Sequence, residues 1–432
     1  MTTTGLGARR TALVFALAML GATASAQGDS TWRDRSAAGD AARLRGDWKG
    51  YKHYAEILYR ELNGYPSTVI ALARADAQMH DTAGAMKWLK QYAATGLTRD
   101  VDADSLLAPV RGAPGWKELL ARLAKNREAV GHPAVAFTVP DSEFVAEDIA
   151  YDPTTKRFFL SSIRERKVIV RHNGTFSDFV PAARDSVMAM MGLDVESKRG
   201  ALWASTAGMP EAFALAPDDS GVSAVLRYDL ATGKLLDRYD LPDDSADHVL
   251  GDLTVASNGD LFVSDAIGGG VYVIHAGRDS LEVLVRPGTF PNPQQPVAAP
   301  DGKRLFVADY IRGIAIVDRA NGKVSWLAND AHAAISGIDG MVLTGRTLIA
   351  IQNGVSIDRV IRLDLDRNMT KIERWSTLAA NLPSLREPNH GVMVGDKFYF
   401  IARSGWDRFA PDGTITPGAT LYKPLVMVLE VR

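Results

Sequence analysis

Cysteine is absent from the 432 residues, which excludes disulfides, thiolate zinc sites, iron–sulfur clusters and cysteine nucleophiles. An excess of one charge is missing too: 49 basic and 51 acidic side chains leave a net charge of -2. Such a balance carries no electrostatic footprint for nucleic acid. Beyond Ala26 no apolar run is long enough to span a bilayer, and no Gly-x-Ser-x-Gly elbow marks a serine hydrolase. Chemistry must therefore come from carboxylates, imidazoles, hydroxyls or an oxygen-ligated metal. What is present is ordinary: 46% hydrophobic and 23% charged residues, as in a globular chain. At roughly 150 residues per domain the length allows two or three domains.

Residues 1–26 have the layout of a secretory signal peptide. Arg9 and Arg10 precede an apolar run from Thr11 to Gly21, and Ala24-Ser25-Ala26 offers a small-residue cleavage site before Gln27. About 10 apolar residues are too few for a membrane anchor. A soluble periplasmic or secreted protein is expected, and the lack of cysteine avoids mispairing in an oxidising compartment.

Residues 32–128 read as a small helical domain, rich in Ala, Leu, Arg and Lys. Tyr54, Ile57, Leu58 and Leu62 share one helical face, as do Ala85, Trp88, Leu89 and Tyr92. Gly46-Asp47 and His80-Asp81 stand at the same offset as Ala41 and Ala75, and Pro66 falls at a break between helices. That offset equals the tetratricopeptide period of about 34 residues. The segment resembles a short tetratricopeptide array of two repeats with a degenerate third from Leu106 to Leu123. Such an array serves either as a peptide groove for a protein partner or as a cap or spacer.

From 133 to 432 the texture is β: short alternating runs separated by Asp-Gly, Asn-Gly and Gly-Asp turns. One unit recurs with starts near Glu147, Met191, Gly251, Gln294, Asp339 and His390. Each unit is one four-stranded blade, so the fold class is mainly β, a six-bladed β-propeller preceded by the helical domain. The interval from Met191 to Gly251 is the longest and implies an insertion between Gly208 and Val222. Closure is expected between the early strand Ala134 to Val139 and the final strand from Leu425, with the early strand as outer edge of blade 6.

The first strand of each blade lines the central channel, so the six repeat residues meet at one mouth, with Asp252 and Asn389 beside two of them. An oxygen-rich, net negative mouth suits a divalent cation, calcium ahead of zinc. It equally describes a polar, water-filled channel entrance. Loops after each second strand add Arg164, Arg166, Arg312, Asn353, Arg403 and Trp406 as candidates. Asp252, Arg312, Asn353, Asn389 and Arg403 are taken as substrate-binding candidates.

The propeller resembles the gluconolactonase and regucalcin-like six-bladed propellers. Three stretches carry the resemblance: Ala146-Glu147-Asp148-Ile149-Ala150-Tyr151-Asp152, Pro300 to Asp309 with its Pro-Asp-Gly and Val-Ala-Asp motifs, and Ile338-Asp339-Gly340-Met341. The resemblance implies a divalent metal held by Glu147, Asp339 and, in place of an Asn, Gln294. Gly251 stands where the family has a further Asn. It also implies that Asp339 acts as the base for lactone opening. His390, at the same mouth, is taken to orient the water or protonate the leaving oxygen. Two readings follow: a metal-dependent hydrolase of a lactone or small ester, or a non-catalytic module binding a small ligand or protein at the mouth or the helical repeats.

Overall fold

The computed structural model describes residues 31–241, 246–410 and 412–431. The expected signal peptide at 1–26 lies outside the described residues, as does Arg432. No helix among the described residues is long and apolar enough to cross a membrane.

Four helices open the described residues: α1 (Trp32–Leu44), α2 (Trp48–Glu61), α3 (Pro66–Gln78) and α4 (Thr82–Ala94). The step from Trp32 to Pro66 equals the step from Trp48 to Thr82, so α3 and α4 repeat α1 and α2. The caps repeat with them. Asp47 accepts from Gly50 N and Asp81 from Gly84 N, each at 2.9 Å, which satisfies an otherwise orphaned donor at each helix start. Pro66 is the first residue of α3 rather than the stop of α2; there its missing N–H costs nothing. A 3₁₀ turn (Ser105–Val110) and α5 (Trp116–Lys125) complete the segment. Leu58, Leu62, Ala85, Leu89 and Tyr92 are buried as the helical periodicity requires.

Six four-stranded antiparallel sheets follow in a ring. Their innermost strands are Ala146–Asp152, Ala189–Glu196, Leu250–Val255, Pro293–Ala298, Ile338–Thr344 and Gly391–Val394, for blades 1 to 6. The chain is a six-bladed β-propeller. Apolar clusters fill each gap between neighbouring sheets; Phe306, Ile338, Leu348 and Ile361 join blades 4 and 5, for example. Phe137, Ile149, Leu160, Ile401 and Val426 join blade 6 to blade 1. The insertion of blade 2 spans 208–222, as the long interval required, and blade 6 has a longer one over 404–424.

The ring closes as the sequence implies. Ala134–Thr138 pairs antiparallel with Leu425–Glu430, Ala134 opposite Val428 and Thr138 opposite Leu425, and forms the outer edge of blade 6. The last strand therefore has a partner on both sides. The helical segment rests on the ring: Ala334 belongs to its core, and Asn381 Nδ2 donates to Asn126 O at 2.9 Å and Glu128 O at 3.0 Å.

Deleting residues 425–432 should cost the whole propeller its single cooperative melt. It strips two strands of a partner and takes the buried Val426 and Met427 out of the apolar clusters on either side of blade 6. A truncated protein that melts like the full chain by circular dichroism would refute this closure.

Candidate functional site

In five blades the innermost strand carries a bulge that leaves two consecutive residues out of the pairing with its neighbour. Pairing jumps from Ala146 to Ile149, Met190 to Leu193, Leu250 to Leu253, Pro293 to Pro296 and Ile338 to Met341. Such a bulge bends the strand and re-aims its side chains. The pairs left out are Glu147-Asp148, Met191-Gly192, Gly251-Asp252, Gln294-Gln295 and Asp339-Gly340. In blade 6, Gly391 pairs with Phe400 as Ile149 pairs with Leu160, so the equivalent pair is Asn389-His390.

This register corrects the alignment drawn from repeat spacing. Asn389, not His390, completes the row of Glu147, Met191, Gly251, Gln294 and Asp339. His390 shares the second row with Asp148 and Asp252. Intervals as uneven as those between the blades cannot fix a shift of a single position; strand pairing does. The second row is glycine in blades 2 and 5 because the adjacent blade fills the space. A Cβ at Gly192 would lie 2.8 Å from Gly251 O, and one at Gly340 would lie closer still to Asn389 O.

Asp252, Asp339 and His390 converge: one ligating atom from each lies within 4.8 Å of the others. Blades 3 and 6 face each other across the ring, and His390 Nε2 reaches Asp252 Oδ1 at 2.9 Å, so this pair crosses the channel. His390 and Asp252 are almost fully buried, at 1% and 2% exposure. His390 Nδ1 lies 2.9 Å from the Glu147 carbonyl oxygen, an acceptor, so Nδ1 carries the proton and Nε2 points into the mouth. Asp252 Oδ2 has no hydrogen-bond partner, and Nε2 has none that is well aligned despite the short distance to Asp252. Asp339, half-buried, accepts from Asn353 Nδ2 at 2.6 Å, and Asn353 Oδ1 accepts from Tyr310 OH at 2.7 Å.

Glu147 stands beside this triad rather than in it. Its Oε2 accepts from Trp406 Nε1 at 2.5 Å and from Asn389 Nδ2 at 3.2 Å. Gln294 donates to Asn292 Oδ1 at 2.9 Å within its own blade. Of the ligand set drawn from the family resemblance, Glu147, Gln294 and Asp339, it is Asp339 that lies in the converging group with Asp252 and His390. Gly251 supplies no side chain, but its neighbour Asp252 brings a carboxylate from the same blade. A Cβ at Gly251 would meet nothing within 4 Å.

The arginine candidates are engaged elsewhere. Arg312 lies 4.2 Å from the Trp326 ring, and Arg403 lies 5.0 Å from that of Tyr422 and donates to Lys423 O. Arg164 sits between the rings of Phe213 and Phe409, and Arg166 donates to Val187 O and Ala214 O. One side of the mouth is apolar instead. Met191, Met209, Ala212 and Phe409 pack together with Trp406, drawn from the insertions of blades 2 and 6 and the entrance of blade 2.

Burial governs the charges. It pushes Glu147 up to about 8, with Asp339 and Asp252 adding to the rise and His390 opposing it. Asp148, whose Oδ2 accepts from Leu193 N at 2.7 Å, is pushed up to about 7 for the same reason. Burial and the charge of Asp252 also raise Asp339, while His390 opposes them. Burial resists a charged His390, yet Asp252, Asp148 and Asp339 outweigh it and hold the imidazole well above its usual value. The mouth thus carries an internal cation among four carboxyl groups.

Tyr310 and Asp148 escaped the sequence reading. Tyr310 follows the Val-Ala-Asp strand of blade 4 with nothing local to mark it. Asp148 had a signal, a second acid directly beside Glu147.

No family model matches the chain and no curated protein does. Among solved structures, an aldose sugar dehydrogenase from Streptomyces coelicolor in its PQQ-bound form is 13% identical, covering 70% of this chain and 98% of that one, with a TM-score of 0.48. The calcium-binding protein regucalcin from Agrobacterium tumefaciens is 17% identical over 69% and 94%, at 0.46. A gluconolactonase from Xanthomonas campestris is 14% identical over 70% and 97%, at 0.44.

Glu147 and Asp148 hold protons when folded at a pH where the unfolded chain has released them. Folding therefore takes up protons between about pH 4 and 8, and stability falls as the pH rises through that window. Metal-free protein should lose melting temperature from pH 5 to 8, and Glu147→Gln should flatten that slope. An unchanged slope in the variant would show that Glu147 ionises normally.

Proposed function

We propose that the protein is a hydrolase of a lactone or small ester, acting at the propeller mouth with a divalent cation held by Asp252, Asp339 and His390. One observation carries this: two carboxylates and an imidazole converge within 4.8 Å with Asp252 Oδ2 unpartnered, and a cation there would take the place of the proton that His390 Nε2 holds towards Asp252 Oδ1. The His390 ring fits a ligand role, because its other nitrogen donates to a backbone carbonyl, the usual support of a metal-bound imidazole. An imidazole among the donors moves the preference from calcium, which takes oxygen ligands, towards zinc or manganese. When bound, such a cation polarises a carbonyl and lowers the pKa of water.

The chain's own residues supply the proton handling. Asp339, oriented by Asn353, takes the proton of the attacking water. Glu147, held protonated near neutral pH, gives one to the leaving oxygen. The apolar wall of Met191, Met209 and Trp406 favours an uncharged, largely apolar substrate over a sugar acid.

The second reading, a non-catalytic binding module with a ligand at the mouth or a protein on the helical repeats, draws support from the depth of Asp252 and His390. Turnover separates the two readings: metal-bound protein inert towards a panel of lactones and esters would favour the module. We also place the protein outside the cytoplasm, in the periplasm or secreted, with Gln27 as its first mature residue. Mature protein that retains Met1 would overturn that.

Manganese or zinc added to chelator-stripped protein should raise its melting temperature, by about 2.7 kcal/mol of stabilisation at a hundredfold excess over Kd. Asp339→Asn and Asp252→Asn should each reduce the shift and abolish hydrolysis. Gly251→Asn should be tolerated and tighten binding, since space is open at that Cβ. A wild-type protein indifferent to both metals at millimolar concentration would overturn the metal centre.

A further inference from the structure

Besides Ala334 and Asn381, the helical segment holds the propeller through one stretch of blade 5. Val355 and Ile357 pack against the helical core, and Ser356 Oγ accepts from Thr98 N at 3.1 Å. Arg359 is completely buried. It donates from Nη1 to Thr95 O at 2.9 Å and from Nε to Gln352 Oε1 at 2.7 Å, and its guanidinium lies 5.6 Å from the Trp375 ring. Thr95 is the C-cap of α4, so the guanidinium meets the negative end of a helix dipole in place of a carboxylate. Arg359 Nη2 has no hydrogen-bond partner among the described residues, so the buried cation depends on these two acceptors, and separating the two parts removes one of them.

The same stretch begins at Asn353, whose amide holds Asp339 Oδ2 on one side and takes the Tyr310 hydroxyl on the other. Gly354 lies so close to the Tyr310 ring that any Cβ there would run into it. The Tyr310 hydroxyl also decides which way the amide faces. With Oδ1 accepting from Tyr310, Nδ2 must face Asp339; without that donor the amide is free to turn its oxygen towards the carboxylate. Residues 353–359 are thus fastened to Asp339 at one end and to the helices at the other.

We propose that Asn353 and Tyr310 are positioning residues for Asp339, and that the helical segment serves the site by clamping the 353–359 stretch that carries Asn353. This rests on the metal-centre reading for only one of its two readouts. In the full-length protein, Tyr310→Phe should weaken manganese binding by about 3- to 10-fold in calorimetry, the worth of one hydrogen bond, with the fold intact by circular dichroism. Arg359→Met, which removes no contact to a ligand side chain but does release Gln352 opposite Ile338, should weaken binding in the same direction. Hydrogen exchange of metal-free protein should quicken at residues 338–341 in both variants, while the inner strands of blades 1 to 3 keep wild-type rates. Ile357→Ala is the milder substitution should Arg359→Met fail to fold, and it should show the same pattern. Variants that loosen the helices yet leave exchange at 338–341 at wild-type rates would overturn the clamp. Wild-type exchange there in Tyr310→Phe would overturn the positioning role. If wild-type protein binds no manganese, the metal centre falls, and exchange alone decides this proposal.

Discussion

The bulge in the innermost strand of the blades is the constraint on which the site depends. A regular strand would send alternate side chains to opposite faces and give each blade one residue at the mouth. The bulge supplies two, one from each row. That is why blade 3 contributes a carboxylate although its first-row residue is Gly251; in blade 6 the equivalent pair, Asn389 and His390, lies just ahead of the strand. The two glycines of the second row, Gly192 and Gly340, mark where neighbouring backbones come too close for any side chain. The acidic mouth is therefore asymmetric by construction.

Electrostatics then sorts the carboxyl groups. Four of them in a buried mouth cannot all be charged, and the chain resolves this with one imidazolium across the channel and with protons retained on Glu147 and Asp148. Asp339 is the exception in exposure, and it alone is steadied by a side-chain amide from its own blade.

Much of the architecture was legible. Repeats of turn, strand and turn marked six blades, because each must bury one sheet against the next and so repeats its apolar pattern. The closing strand was legible because Ala134 to Thr138 had no blade of its own. The helical period was written in Asp47 and Asp81, which turn out to be equivalent caps. The site was legible only to within one residue. His390 and Asn389 both looked like mouth residues, and only pairing with Phe400 separates their rows. Contacts between distant segments left no local trace: Trp406 on Glu147, Tyr310 on Asn353 and Arg359 on Thr95 join positions 259, 43 and 264 apart in the chain.

Closure through blade 6 also sets an order of events during synthesis. Ala134 finds its partner only in Val428, so the ring stays open until nearly all of blades 1 to 6 has been made. Through that interval the strand at 134–138 waits beside a growing row of sheets, with a free edge able to pair wrongly. Contacts this distant in sequence make for slow folding. The helical segment, whose pairings are local, is free to form while the ribosome is still at work on the blades, and it stands ready as the surface onto which blade 5 docks.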